Sequence, residues 1–140
     1  MEHCLCALNE KYFHELKPLS SKIEIEESQS FSNELLASFQ RNSPVPLETI
    51  PDITKIFSIL EVNDSQLNSD HFQELSQILQ SSCIIKRALN KKHFPIWHSN
   101  SRNLINSTAA VSAIKRVFDD TFQIKLDAST ELKRLSKNIL

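Results

Sequence analysis

Histidine and cysteine are the residues here that could bind a soft metal ion, but their spacing does not suit one. His3, Cys4 and Cys6 lie together near the start of the chain, whereas structural zinc usually takes its ligands from two spaced pairs. The sequence has no C-x-x-C or H-x-x-x-H pattern. Cys83 falls on the apolar face of a predicted helix, where small buried thiols are common. We therefore expect no metal site and a packing role for Cys83.

Acidic pairs and serines are the other candidates for catalysis, and neither is organised for it. The pairs at 26–27 and 119–120 consist of adjacent acids, and adjacent side chains on a helix point apart, so such pairs are usually solvated. The sequence contains no glycine, which excludes the G-x-S-x-G turn of serine hydrolases as well as phosphate-binding loops and dinucleotide-binding turns. We expect neither a catalytic site nor a cofactor in this chain.

The densest basic tract follows the end of the longest predicted helix and is the best candidate for contact with nucleic acid. Its cations are Lys86, Arg87, Lys91, Lys92 and Arg102. They could bind phosphates, or they could be a solvated helix end whose charges match the helix dipole. The formal net charge is −1, so no global positive field favours nucleic-acid binding. The sequence leaves both interpretations open.

Helices must position these residues, because hydrophobic residues recur at helical spacing through most of the chain. The pattern predicts helices over 4–16, 24–41, 70–91 and 109–118, shorter helices after Pro51 and Pro95, and a final helix capped by Ser129 and continuing to Ile139. Phe122, Ile124 and Leu126 alternate with polar residues, which predicts a short β-strand or hairpin near residues 119–127. The predicted fold class is mostly α, a multi-helix domain with one short β element.

Several local details of these helices are predicted as well. Phe31, Leu35, Leu36 and Phe39 are expected to share the buried face of the second helix. The expected first-turn and capping residues are Pro51 for the third helix, Asn68 or Ser69 for the longest helix, and Thr108 for the helix over 109–118.

Size and composition favour one soluble domain. At 140 residues the chain is long enough for a single hydrophobic core. Three cysteines are an odd set, which favours reduced thiols and a cytoplasmic protein. The first residues lack the positive charge of a signal peptide, and no stretch is long enough to cross a membrane. We expect a single cytoplasmic domain over residues 1–140, without membrane contact.

Four segments carry a family resemblance when they are taken in order. Residues 118–124 followed by 127–135 are similar to the pattern D-E-x-G-x-V … A-S-P-E-L-x-x-L. Residues 46–53 are similar to P-L-x-G-I-P-D-I, and residues 7–18 are similar to an L-G-K-E … L-x-P opening. In this order and spacing the chain resembles the core or lever region of MutS-type proteins, especially those of the second bacterial MutS family. The resemblance extends over nearly the whole chain.

The sequence departs from the family pattern at its turns. Asn9, Thr49 and Phe122 stand where the family usually has glycine, and Thr130 stands where it has proline. The motifs between these positions keep the family's order, so the resemblance implies a divergent member.

The resemblance implies a non-catalytic connector in a DNA mismatch-repair or recombination-control ATPase, and a fragment of a longer protein. ATP and magnesium would then bind only in the missing ATPase domain. The implied partners are the clamp and ATPase domains of the parent chain, and DNA through the parent. A homodimer, if one forms, would also form through the parent. The alternative is a stand-alone helical protein-interaction module or a secreted effector, which would bind a protein through an exposed helix face.

Overall fold

Helices make up most of the chain. The structure is a computed structural model that describes residues 7–137. These residues form α1 (Ala7–His14), α2 (Lys22–Gln40), α3 (Thr54–Leu60), α4 (Ser69–Ala88), α5 (Pro95–Asn100), a 3-10 turn (Ser101–Asn103), α6 (Thr108–Val117) and α7 (Thr130–Lys137). The prediction of a mostly α fold is confirmed.

Several predictions fall outside the described residues. These are the beginning of the helix expected over 4–16, the candidate ligands His3, Cys4 and Cys6, and the end of the last apolar stripe at Ile139. Among residues 7–137, none of the helices combines the length and the apolar character that a membrane crossing requires.

Side chains just before α4 and α7 set where these helices begin. The Oδ1 atom of Asn68 accepts a hydrogen bond from the His71 backbone N–H at 2.9 Å, and His71 Nδ1 accepts one from the Asn68 N–H at 3.3 Å. This reciprocal arrangement makes Asn68 the cap of α4. Ser129 Oγ accepts a hydrogen bond from the Leu132 N–H at 3.1 Å, which confirms the predicted cap of α7.

Two predicted helix starts are wrong by a few residues. α3 begins at Thr54 and does not include Pro51. The reason is a turn in which Asp52 Oδ1 accepts hydrogen bonds from the Thr54 N–H at 2.9 Å and from its hydroxyl at 2.6 Å. α6 has Ser107 as its N-cap, so Thr108 is the first helical residue instead of the cap.

The chain divides into two compact units. Unit 1 comprises the residues up to Ile50 together with Ser81–Asn106, and unit 2 comprises Pro51–Gln80 together with the residues from Ser107 onward. α4 crosses the division, so its first turns belong to unit 2 and its last turns to unit 1. The expectation of one domain over residues 1–140 stays a prediction.

Unit 1 is built on the packing of α5 against α2. The rings of Phe31 and Trp97 meet edge to face with their centroids 5.2 Å apart. The Trp97 indole N–H donates a hydrogen bond to the Phe31 carbonyl at 3.1 Å. Leu89 and Phe94 are buried hydrophobic residues of this unit. The ends of α2, α4 and α5 therefore share one small core.

The buried face of α2 agrees with the prediction at Phe31 and Leu35, which are half-buried, and differs from it elsewhere. Ser38 is 0% exposed and Glu34 is half-buried, whereas Leu36 is 57% and Phe39 is 63% exposed. α5 contacts α2 through Phe31 and Glu34, which lie three residues apart on the same side of the helix. Leu36 and Phe39 lie away from that side, so hydrophobicity alone misplaced the face.

Unit 2 has its core around Phe118, which follows α6. The Phe118 ring lies 5.2 Å from the ring of Phe72 in α4 and 5.9 Å from the ring of Phe122, measured between centroids. Ile56 in α3 is 1% exposed and Phe118 is 8% exposed. The aromatic contacts hold the turn after α6 against α4 within this unit.

The β-hairpin predicted near residues 119–127 is not shown by the structure. An isolated antiparallel bridge pairs Phe118 with Ile124, and the Lys125 N–H donates a hydrogen bond to the Val117 carbonyl at 2.9 Å. Beyond Lys125 the chain turns again, because its carbonyl accepts a hydrogen bond from the Ala128 N–H at 3.0 Å. The alternating residues therefore form a turn closed by one bridge.

Candidate functional site

Unit 1 contains a stretch of chain that carries positive charge and no negative charge. Ser81–Asn106 includes all five cations of the predicted nucleic-acid site and neither Asp nor Glu. The nearest acids in the sequence on either side are Glu74 and Asp119. A chain of net charge −1 therefore includes a strongly basic segment.

The five predicted cations are not equivalent. The exposed ones are Arg87, Lys91, Lys92 and Arg102. Lys86 is half-buried, and its Nζ donates a hydrogen bond to the Leu104 carbonyl. This bond ties the end of α4 to the segment after the 3-10 turn. Lys86 thus has a structural contact that the sequence did not indicate, and contact of any of the five with nucleic acid stays a prediction.

Neutral or ring nitrogen donors bond to the carbonyl of Ala88, the last residue of α4, and to that of Leu89, the residue just after it. The Ala88 carbonyl accepts hydrogen bonds from the Asn90 backbone N–H at 2.8 Å and from Asn90 Nδ2 at 3.3 Å. The Leu89 carbonyl lies 2.7 Å from His98 Nδ1. Because Asn90 closes the helix, α4 ends at Ala88, earlier than the predicted position near residue 91. The lysines that follow lie in a turn, and they are not needed as helix caps.

Arg41, just past the end of α2, adds a cation from another element. Its Nη2 donates a hydrogen bond to the His93 carbonyl at 3.3 Å. Its guanidinium carbon lies 5.8 Å from the centroid of the Phe94 ring, within cation–π range. Sequence reasoning missed Arg41 because 52 residues separate it from His93 and no local pattern marks the contact.

We call Arg41, Arg87, Lys91 and Lys92 the basic turn. Within residues 7–137, the side chains of the last three make no hydrogen bond or ion pair with another described residue. The ion pair recorded in this range joins Lys22 and Glu26 at 3.7 Å. The charges of Arg87, Lys91 and Lys92 are thus exposed and unpaired within the described residues.

Glu34 anchors the chain that follows the basic turn. Its carboxylate oxygens accept hydrogen bonds from the Ile96 N–H at 3.0 Å and from the Trp97 N–H at 2.9 Å. These N–H groups lie in the first turn of α5, where no helical carbonyl is in reach. A negative charge at this position also matches the helix dipole. The basic turn is therefore held between α4 on one side and an anchored α5 on the other.

An apolar groove also lies in unit 1, with a volume of about 250 Å³. Its lining residues are Leu35, Val45, Leu47, Ile85, Leu89, Trp97, Asn100, Ser101 and Leu104. None of them is charged, so the groove suits an apolar group and offers no ionic contact to a ligand.

The acidic pair at 119–120 is arranged as a turn and not as an acid–base pair. Asp119 Oδ1 accepts hydrogen bonds from the Thr121 hydroxyl and N–H, each at 2.8 Å, and from the Gln123 N–H at 3.0 Å. These hydrogen bonds hold the pKa of Asp119 below its ordinary value. The bond from the Thr121 hydroxyl has the largest effect, and the bond from the Gln123 N–H has the next largest. Asp119 therefore stays ionised and stabilises the turn.

The remaining candidates for chemistry are not grouped. Cys83 is half-buried in α4, so it is less enclosed than expected. Among residues 7–137, no three His, Cys, Asp or Glu side chains converge where they could hold a metal ion.

Known proteins offer no external guide to this site. Comparison with known protein families, with curated proteins and with solved structures finds no match for the chain. A functional assignment therefore depends on the chain's own residues and geometry.

Proposed function

We propose that this chain is the lever or core connector of a MutS-like DNA mismatch-repair or recombination-control ATPase. In this role it has no active site and transmits motion between the nucleotide and DNA sites through packed helices. ATP and magnesium bind in the ATPase domain of the parent protein. The clamp and ATPase domains are its partners, and the parent works on DNA in the cytoplasm.

The backbone at Phe122 is the main support for this proposal. Its φ is 56°, in the left-handed region that favours glycine. The MutS pattern that residues 118–124 resemble has glycine at this position. A residue with a side chain is about 1–2 kcal/mol less stable than glycine in this conformation. The turn nevertheless has the backbone shape that suits the glycine of the family. A turn inherited from an ancestor with glycine accounts for this.

The start of α7 gives a second, independent support. Thr130 is the first residue of the helix, a position where proline is favoured because its missing N–H has no helical partner and its φ is already helical. The family pattern has proline here. Ser129 caps the helix, at the serine of the family's A-S-P-E-L. Asn9 and Thr49, the other glycine positions, have no positive φ and add no such support.

Exposed apolar side chains support a role inside a larger assembly. Of the side chains that the structure describes, those of Ile56, Leu89, Phe94 and Phe118 are the buried hydrophobic ones. Far more large ones are exposed, including Tyr12, Phe13, Leu36, Phe39, Phe57, Leu60, Ile105 and Leu126. Where such side chains form a contiguous patch, they are usually covered by other protein. Clamp and ATPase domains would supply that cover.

The same exposed residues leave a second candidate function. A stand-alone helical interaction module or secreted effector would also expose apolar helix faces, such as Leu36 and Phe39 on α2, to a protein partner. The interaction-module function does not explain the turn at Phe122 or the start of α7. It therefore ranks second to the MutS-like function.

The coding sequence that follows the Leu140 codon separates the two candidates. The MutS-like proposal predicts an open frame that continues into helices with coiled-coil heptads and then a G-x-x-x-x-G-K-[ST] motif. A stop codon directly after Leu140 would contradict it and would favour the interaction module.

A further inference from the structure

We propose that the basic turn is a phosphate-binding surface for duplex DNA within this connector. The inference deepens the proposed function and rests on it, because the proposed function is the reason to expect DNA and not another polyanion at this surface. The charge and geometry that support it belong to unit 1 alone.

Three cations of the basic turn, Arg87, Lys91 and Lys92, make no side-chain hydrogen bond or ion pair with another described residue. A helix-end cation usually caps carbonyls or pairs with an acid. Here Asn90 donates to the carbonyl of Ala88, the last residue of α4, and His98 Nδ1 lies within hydrogen-bond distance of the carbonyl of the next residue, Leu89. The segment Ser81–Asn106, which carries Arg87, Lys91 and Lys92, contains no acid. Arg87, Lys91 and Lys92 are exposed and unpaired within residues 7–137. Uncompensated cations that repel one another are expected where a polyanion binds.

The turn is held in place by two contacts from α2. Arg41 at the end of α2 bonds to the His93 carbonyl, and Phe94 beneath its guanidinium is 3% exposed. Glu34 then fixes the two residues that follow Pro95. Because α4 precedes Lys91 and these contacts follow Lys92, the backbone between them is anchored on both sides, which lowers the entropy lost when phosphates bind.

The surroundings of the basic turn favour nucleic acid over a membrane. A membrane-binding surface places exposed aromatic or aliphatic side chains beside its cations, whereas Phe94, the large hydrophobic residue of the turn, is buried. Pro95 is exposed, the exposed residues from 99 to 103 are Ser99, Asn100, Arg102 and Asn103, and the exposed aliphatic residue Ile105 follows them. Hydroxyl, amide and guanidinium donors of this kind contact phosphate and sugar.

The number of cations in the basic turn sets the expected strength of DNA binding. Four phosphate contacts give a slope of roughly −4 for log K against log salt on B-DNA. Such binding is measurable at low salt and weak at physiological salt, with a Kd on the order of 10 µM or weaker. The surface would therefore add to DNA contacts made elsewhere in the parent and would not act alone.

The test is fluorescence anisotropy of the full 140-residue chain with a labelled duplex of roughly 20 base pairs, titrated with salt from low to physiological concentration. The variant K91E/K92E removes the central cations, and K133E/R134E on the exposed side of α7 is the control with the same charge change. We expect K91E/K92E to weaken binding at least tenfold at low salt and to reduce the salt slope by about 2. The control should change binding less than about threefold.

Equal weakening by both variants, or no measurable binding by the unaltered chain at low salt, would overturn the proposal. So would binding to vesicles containing phosphatidylserine without binding to DNA. Circular dichroism and Trp97 fluorescence check that both variants are folded. The coding-sequence test of the proposed function is independent of these results, so failure of the DNA contact would leave the connector assignment standing.

Discussion

Glu34 in α2 and Trp97 in α5 are joined by a hydrogen bond of 2.9 Å from the Trp97 backbone N–H to the Glu34 carboxylate, across 63 residues of sequence. The neighbouring Ile96 N–H donates to the other carboxylate oxygen. The Trp97 indole N–H donates to the Phe31 carbonyl, one helical turn before Glu34. One acidic side chain thus caps a distant helix and fixes the chain that follows the basic turn.

Glu34→Ala should destabilise unit 1, because it leaves two helix N–H groups without an acceptor. We expect the free energy of unfolding to fall by about 1–3 kcal/mol. Trp97 is the single tryptophan of the chain, so its fluorescence during urea unfolding reports on unit 1 directly. Glu27→Ala on the exposed surface of α2 is the matched control and should change stability by less than about 0.5 kcal/mol. An equal effect of the two substitutions would contradict the capping role.

Phe122→Gly should be more stable than Phe122→Ala, the reverse of the order in a helix or strand. Both variants lose the contact between the rings of Phe122 and Phe118, so their difference reports on the backbone at φ 56° alone. We expect glycine to be favoured by about 1 kcal/mol in chemical denaturation. Equal stability of the two variants would show that the turn does not need the left-handed conformation in solution.

Asp119 should make the stability of the turn depend on pH in the acidic range. Hydrogen bonds from the Thr121 hydroxyl and then the Gln123 N–H hold its folded pKa below the ordinary value of 3.8. A carboxyl with a depressed folded pKa stabilises the fold above its unfolded pKa, and that contribution is lost as the pH falls through the folded pKa.

NMR titration of the Asp119 carboxyl carbon measures this directly and should give a midpoint below 3.8. Asp119→Asn should destabilise the turn at neutral pH and have little effect at a pH below the folded pKa. Asp120→Asn is the control, because the Asp120 carboxylate accepts no hydrogen bond from another residue in 7–137. A midpoint at or above 3.8 would contradict the hydrogen-bonded turn.

Thr130→Pro should stabilise α7, since proline at the first helical position restricts the unfolded chain without breaking a helical hydrogen bond. The expected gain is about 0.4–1 kcal/mol. Ser129→Ala removes the hydrogen bond to the Leu132 N–H and should cost about 1 kcal/mol. Amide hydrogen exchange of residues 132–136 reports on this helix. Slower exchange in the serine variant, or faster exchange in the proline variant, would contradict the assigned helix start.

Elements that depend on local pattern could be predicted from the sequence. The helical fold class, the cap at Ser129 and the cap at Asn68 are confirmed, because each depends on residues a few positions apart. The start of α3 was misplaced because a turn centred on Asp52 competed with the preference of Pro51 for a first helical turn.

Features that depend on long-range contacts could not be predicted. The buried face of α2 is set by α5, which covers Glu34 and leaves Leu36 exposed. Arg41 joins the candidate site through a contact with His93 that no sequence pattern marks. Lys86 was grouped with the cations available to phosphates, but its ammonium is bonded to the Leu104 carbonyl.

The size and content of the native polypeptide test the connector assignment most directly. Antibodies raised against this chain should recover the protein from its source cells, and mass spectrometry then measures its intact mass. The MutS-like account predicts a polypeptide several times heavier than 16.1 kDa, with peptides from a P-loop ATPase and ATPase activity in the purified material. A native polypeptide of 16.1 kDa without such peptides would contradict it.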